Sequence, residues 1–180
     1  MKYNFLILLL IASLWSCKSG FNISQEENDV DYQIINAFIS LRKIKALKKE
    51  TFEPKSNDSI ITQLISSNGL NLFHYNLTED QQNINFEKIF SKNDIGQIKA
   101  EFERLRMRRL DKKRLSRDVK IVSTLDKKGE TRMITMPIIV PNKNYVFVYS
   151  ESISDGDLFC MKMENGKWMP FASFPLWTSD

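Results

Sequence analysis

The chain has 180 residues, 42% hydrophobic and 27% charged, which fits one globular domain with a short appendage and excludes wholesale disorder, a collagen and a multi-span membrane protein. Two Cys exclude a disulfide scaffold and one His excludes a His-rich metal site. The formal net charge of +4 is too mild to mark a nucleic-acid binder, and none is expected as a partner.

The first element is an export signal. Lys2 supplies a positive start, and Phe5–Trp15 is apolar except for Ser13. As a helix that run covers about 16 Å, roughly half a hydrocarbon core, so it is too short for a permanent span. Ser16 gives a small residue before Cys17, as at a cleavage site. Leu14-Trp15-Ser16-Cys17 resembles the lipobox of bacterial lipoproteins, with Trp15 where a small or β-branched residue is usual. The resemblance implies cleavage after residue 16, a lipid on the Cys17 thiol and attachment to a bacterial membrane. A plain secretory signal and an uncleaved anchor are the alternatives. Two or more acyl chains hold a protein stably where one holds it marginally. Residues 17–28 are polar and without period, and are expected to be a flexible tether. A lipid on Cys17 leaves Cys160 without an intramolecular partner. The apolar run Leu158-Phe159-Cys160-Met161 favours burial over intermolecular pairing.

The expected domain is residues 29–180, helical over 29–118 and a β-meander over 119–172. Ile34, Ile35, Phe38, Leu41, Ile44 and Leu47 recur at helical spacing, with acids before them and Arg42, Lys43, Lys45, Lys48 and Lys49 closing the helix at Glu53-Pro54. Ile60, Ile61, Leu64 and Ile65 suggest a short helix, and Leu70–Leu77 a strand. Ser91 followed by Asp94 reads as a variant capping box, opening a helix over 92–107 on the stripe Ile95, Ile98, Phe102, Leu105. Five strands follow: 119–124, 132–140, 145–151, 157–164 and 167–172. Asn165-Gly166 is the strongest hairpin signal. Tyr145–Tyr149 is apolar on both faces and is expected to be central. Short connections imply antiparallel neighbours. The predicted fold is α+β, with N-terminal helices on one face of an antiparallel meander of four to five strands.

A second resemblance rests on Phe90-Ser91-Lys92-Asn93-Asp94-Ile95, Val119-Lys120-Ile121-Val122, Met136-Pro137-Ile138-Ile139, Tyr145–Tyr149 and Glu164-Asn165-Gly166-Lys167-Trp168. Across residues 90–170 this pattern is similar to that of small uncharacterised lipoproteins of Bacteroidota. It implies location and fold but no chemistry. The segment Ser150–Gly156 departs from the Gly- and Cys-rich loop of such proteins.

Among candidate sites the basic cluster stands out: Arg104, Arg106, Arg108, Arg109, Lys112, Lys113, Arg114 and Arg117 against Asp111 alone. Residues 22–103 carry an acidic excess and 104–180 a basic one. This asymmetry points to an anion or an anionic membrane surface, against the simpler reading of a solvated loop paired with Glu101 and Glu103. His74 alternates with apolar residues and reads as a strand-surface residue rather than a catalytic base. A Cys160–His74 dyad would need an exposed thiolate, against the apolar neighbours of Cys160. Asp155-Gly156-Asp157 reads as a turn, short of a calcium loop. The segment Trp168–Trp177, aromatic and Pro-broken, reads as core cover. No phosphate-binding Gly loop or zinc spacing occurs, so no cofactor or metal is expected. Asp58-Ser59-Ile60 resembles the acceptor pattern for O-glycosylation of exported Bacteroidota proteins, at Ser59. The expected function is a membrane-tethered envelope domain with a binding or interaction role, its partner an envelope protein or anionic lipid. An envelope hydrolase and a basic polyanion or lipid-surface binder acting through residues 104–117 are the alternatives.

Overall fold

The computed structural model describes residues 23–54, 70, 75–76 and 84–179. In chain order these form helix α1 (Ile23–Arg42), strand β1 (Ala46–Lys48), strand β2 (Tyr75–Asn76), helix α2 (Phe86–Ile89), helix α3 (Lys92–Arg104), a 3-10 turn (Lys112–Arg114), and strands β3 (Lys120–Val122), β4 (Thr131–Ile134), β5 (Ile138–Ile139), β6 (Tyr145–Glu151), β7 (Asp155–Glu164) and β8 (Lys167–Thr178). The fold is α+β, as expected. Residues up to Val30 form one unit, of which the helical backbone from Ile23 is described; Asp31–Asp180 form the second, which contains the sheet and both cores. Residues 23–28, expected in the tether, are therefore helical. Cys17, Ser59, His74 and the expected short helix at 60–65 lie outside the described residues.

The apolar stripe of α1 is present: Ile34, Ile35 and Phe38 are fully buried. The helix stops at Arg42, well before the expected end at Glu53-Pro54. Lys43 takes a positive φ of 53°. Its N–H donates to the Ser40 carbonyl at 3.3 Å, and the Ile44 N–H donates to the Ile39 carbonyl at 3.0 Å. This is a Schellman ending with lysine in the place glycine usually takes. Beyond it the chain is extended. Leu47, fully buried, belongs to β1 rather than to the helix. A short apolar run satisfies either period, and the tertiary ladder decides.

That ladder is parallel on both sides. β1 pairs with β3 through Leu47↔Ile121 and with β4 through Ala46↔Thr131. The expected antiparallel meander is present as β6, β7 and β8, and among the described residues it belongs to a larger, eight-stranded sheet, order β2-β8-β7-β6-β4-β1-β3, with β5 on β6. The long connection through α2 and α3 is what permits the parallel pairings. The expected strand 132–140 is two strands on the same side of β6. Pro137 has no N–H to give the ladder. At the break the Thr135 N–H donates to the Tyr149 carbonyl at 2.9 Å, and the Tyr149 N–H donates to Thr135 Oγ1 at 3.1 Å.

β8 runs to Thr178, past the expected end at Ala172 and through both prolines. Asp157 pairs with Pro175 and Met161 with Pro170, and the register shifts at each place. The bulges leave each proline where no ladder N–H is demanded, and they turn the buried Phe171 inward. Asn165 and Gly166 take φ of 50° and 76°, as the hairpin signal requires. The Ser91–Asp94 capping box forms: Asp94 N–H donates to Ser91 Oγ and Ser91 N–H to Asp94 Oδ2.

The sheet carries two cores. Val146, Val148, Phe159 and Met161 face α1, with Phe38 edge-on to Phe159 at 5.4 Å. Phe147, Tyr149, Leu158 and Cys160 alternate with them and face Phe86, Phe90, Ile95, Ile98 and Phe102 from α2 and α3. Helices therefore cover both faces, not one. Strands that are apolar on both sides need a cover on each.

Candidate functional site

The basic segment begins where α3 ends. Leu105 leaves the helix in an extended conformation (φ −56°, ψ 138°). Residues 105–110 then run beside the chain that follows β1. The Thr51 N–H donates to the Arg108 carbonyl at 2.8 Å, the Arg108 N–H to Thr51 Oγ1 at 2.8 Å, and the Leu110 N–H to the Lys49 carbonyl at 2.9 Å. Leu110 is buried, while Arg106, Met107, Arg108 and Arg109 are exposed. The main chain is thus fixed from behind and the side chains stand in solvent.

The eight basic residues do different work. Arg104 donates to Glu101 at 2.8 Å, and Arg106 lies 3.9 Å from Glu53. Their side chains are 72% and 67% exposed, so these pairs are held loosely and add little stability. Arg114 stacks its guanidinium 4.1 Å over the Tyr32 ring. Lys112 Nζ donates to the carbonyls of Ser116, Arg117 and Val119 and so closes the 3-10 turn. Asp111 caps that turn by accepting from the Lys113 N–H, and its own N–H donates to the Tyr32 hydroxyl at 2.7 Å. Asn36 completes the seam, donating to the Arg114 carbonyl and accepting from the Ser116 N–H. Arg108, Arg109, Lys113 and Arg117 form no ion pair among the described residues.

Arg104, Arg106 and Arg108 come together on one cleft of about 200 Å³, with Leu105, Met136 and Pro137 as its apolar lining and Asp31 and Glu101 as its carboxylates. The extended backbone puts 106 and 108 on the same side. Arg109, Lys112, Lys113, Arg114 and Arg117 are not part of the cleft lining. Three guanidiniums against the carboxylates of Asp31 and Glu101 leave the cleft with a cationic excess, which suits a carboxylate or phosphate ligand.

A second charged group is interior. Arg132 of β4 donates to Asp157 at 3.1 Å, pairs with Asp155 at 3.0 Å, and donates through Nε to Ser150 Oγ. Arg42, the last residue of α1, reaches the other Asp157 oxygen at 2.9 Å, and the Ser173 hydroxyl donates to it at 3.1 Å. Burial pushes the Asp157 carboxyl above its ordinary value, against the pull of Arg42, Arg132 and Ser173. Asp155 is also raised by burial, but the Ser152 hydroxyl and Arg132 outweigh this and hold it below its ordinary value. Asp155-Gly156-Asp157 therefore opens β7 and is not the expected turn. The missed signal was the i, i+2 spacing, which points both carboxylates to one side of a strand. These groups satisfy one another and join α1, β4, β7 and β8.

Cys160 is a free, fully buried cysteine, as expected. Burial pushes its thiol well above its ordinary value, which keeps it neutral and unreactive. Among the described residues no group of three or more His, Cys, Asp or Glu could hold a metal ion, and no helix is long and apolar enough to cross a membrane. Comparison with protein-family models, with curated proteins and with solved structures gave no match.

Proposed function

We propose that the chain is a lipid-tethered binding domain of the bacterial cell envelope. Acyl chains on Cys17 hold it to a membrane, and the unit from Asp31 onward presents its arginine-lined face to a partner or ligand. The tether is supported by the apolar leader and Leu14-Trp15-Ser16-Cys17. Burial of Cys160, the other cysteine, is consistent with Cys17 as the thiol that is modified. The observation that carries the binding role is the meeting of Arg104, Arg106 and Arg108 at one cleft beside Leu105, Met136 and Pro137.

Intact mass and detergent-phase partitioning of the protein from native membranes test the tether. The expected species starts at Cys17, carries two or three acyl chains and enters the detergent phase, while Cys17→Ala stays aqueous. Wild-type protein of unmodified mass in the aqueous phase overturns the proposal.

A further inference from the structure

We infer that the basic segment is a second, protein-borne contact with the membrane, in which Met107 enters the headgroup layer of an anionic phospholipid bilayer beside Arg109, which shares its side of the extended chain, with Arg106 and Arg108 flanking it in sequence. The inference deepens the proposed function and rests on it for a bilayer within reach. Met107 is 58% exposed, above the 40–42% of Val30, Ile139, Ile153 and Met169, the other exposed large apolar side chains among the described residues. Of its neighbours, Arg106 donates to the carbonyls of Glu103 and Leu105 and lies 3.9 Å from Glu53, while Arg108 and Arg109 form no ion pair among the described residues. An apolar residue between long cationic side chains is the composition of an interfacial contact. The methionine takes the apolar side, and the arginines extend their charged ends to phosphates.

The backbone behind it is already fixed by the bonds between Arg108 and Thr51 and between Leu110 and Lys49, so docking orders only side chains. The tether enters the domain nearby. Asp31 lines the arginine cleft and Tyr32 holds both Asp111 and Arg114. Cys17 lies fourteen residues before Asp31, and with the chain helical from Ile23 that is at most about 35 Å. A tether at Cys17 keeps a bilayer within reach of the domain, and a second contact at Met107 orients it where the tether alone leaves it free to swivel.

Two arms test this and separate it from the tether. First, a full chain acylated at Cys17 carries an environment-sensitive fluorophore on Met107→Cys, Cys160 being too buried to label. The expected result is a blue shift in vesicles of phosphatidylglycerol and phosphatidylcholine, absent in phosphatidylcholine alone and reversed by high salt. Second, the full Cys17→Ala chain, whose binding cannot come from acylation, is co-sedimented with both vesicle types, phosphatidylcholine setting the baseline for the leader. Arg106→Gln/Arg108→Gln/Arg109→Gln lowers the phosphatidylglycerol-dependent affinity roughly a hundredfold. Lys127→Gln/Lys128→Gln, on the exposed turn before β4, changes it by less than about twofold. No blue shift, equal sedimentation of the triple variant, or an equal loss in the lysine pair overturns the contact. A chain of unmodified mass overturns the tether and leaves the second arm to judge the contact.

Discussion

Asp157 sits where helix α1 and three strands meet, and its two carboxylate oxygens are held by Arg42, Arg132 and Ser173. Removing one member of such a set leaves the others charged and dry, which costs more than the pairing itself gains. Asp157→Asn is expected to lower the stability by about 3 kcal/mol, read as a shifted urea midpoint at unchanged slope. Asp126 has the opposite environment, on the surface. It accepts from the N–H groups of Lys128, Glu130 and Thr131, and the Thr131 and backbone bonds draw its carboxyl from the ordinary 3.8 down to about 2. A lowered value in the folded state stabilises the fold at pH above the unfolded value and loses that contribution as pH falls towards the folded one. The difference in stability between wild type and Asp126→Asn is therefore expected to be constant above about pH 4 and to shrink towards pH 2. Urea midpoints across that range check it; a constant difference down to pH 2 contradicts it.

At the scale of elements, those with short-range chemical signals were legible in the sequence. Ser91 and Asp94 cap α3, Asn165-Gly166 turns the last hairpin, and Tyr145–Glu151 is the central strand, because in each the local preference and the final environment agree. The failures are places where a residue acts against type. Lys43 occupies a left-handed position, so nothing in the sequence announces the end of α1 or the strand β1 beyond it. Pro170 and Pro175 lie inside a strand, tolerated only because a bulge stands at each. Lys43→Gly is expected to raise stability by about 0.5 kcal/mol, since relief of the left-handed strain exceeds the added freedom of the unfolded chain. Lys43→Val, branched at Cβ, is expected to lower it by more than about 1 kcal/mol. Melting temperatures of the three proteins decide the sign.

For the whole molecule, the sheet is covered by α1 on one side and by α2 and α3 on the other, so clefts open to solvent fall to the ends of elements. The candidate site follows that rule. Its arginines were legible as composition, because eight cations in a short stretch need no fold to be noticed. The cleft was not legible, because Met136 and Pro137 reach it from the break between β4 and β5. Nor was the split between cations that hold the 3-10 turn and cations that face water, which depends on Tyr32 and Asn36 of α1. The margin of the sheet has a consequence for pairing with other chains. Beyond β1 the outermost described strand is only Lys120–Val122, and it opens on an exposed lysine. So brief a row of open amides, headed by a charge, gives a stray peptide little to zip onto.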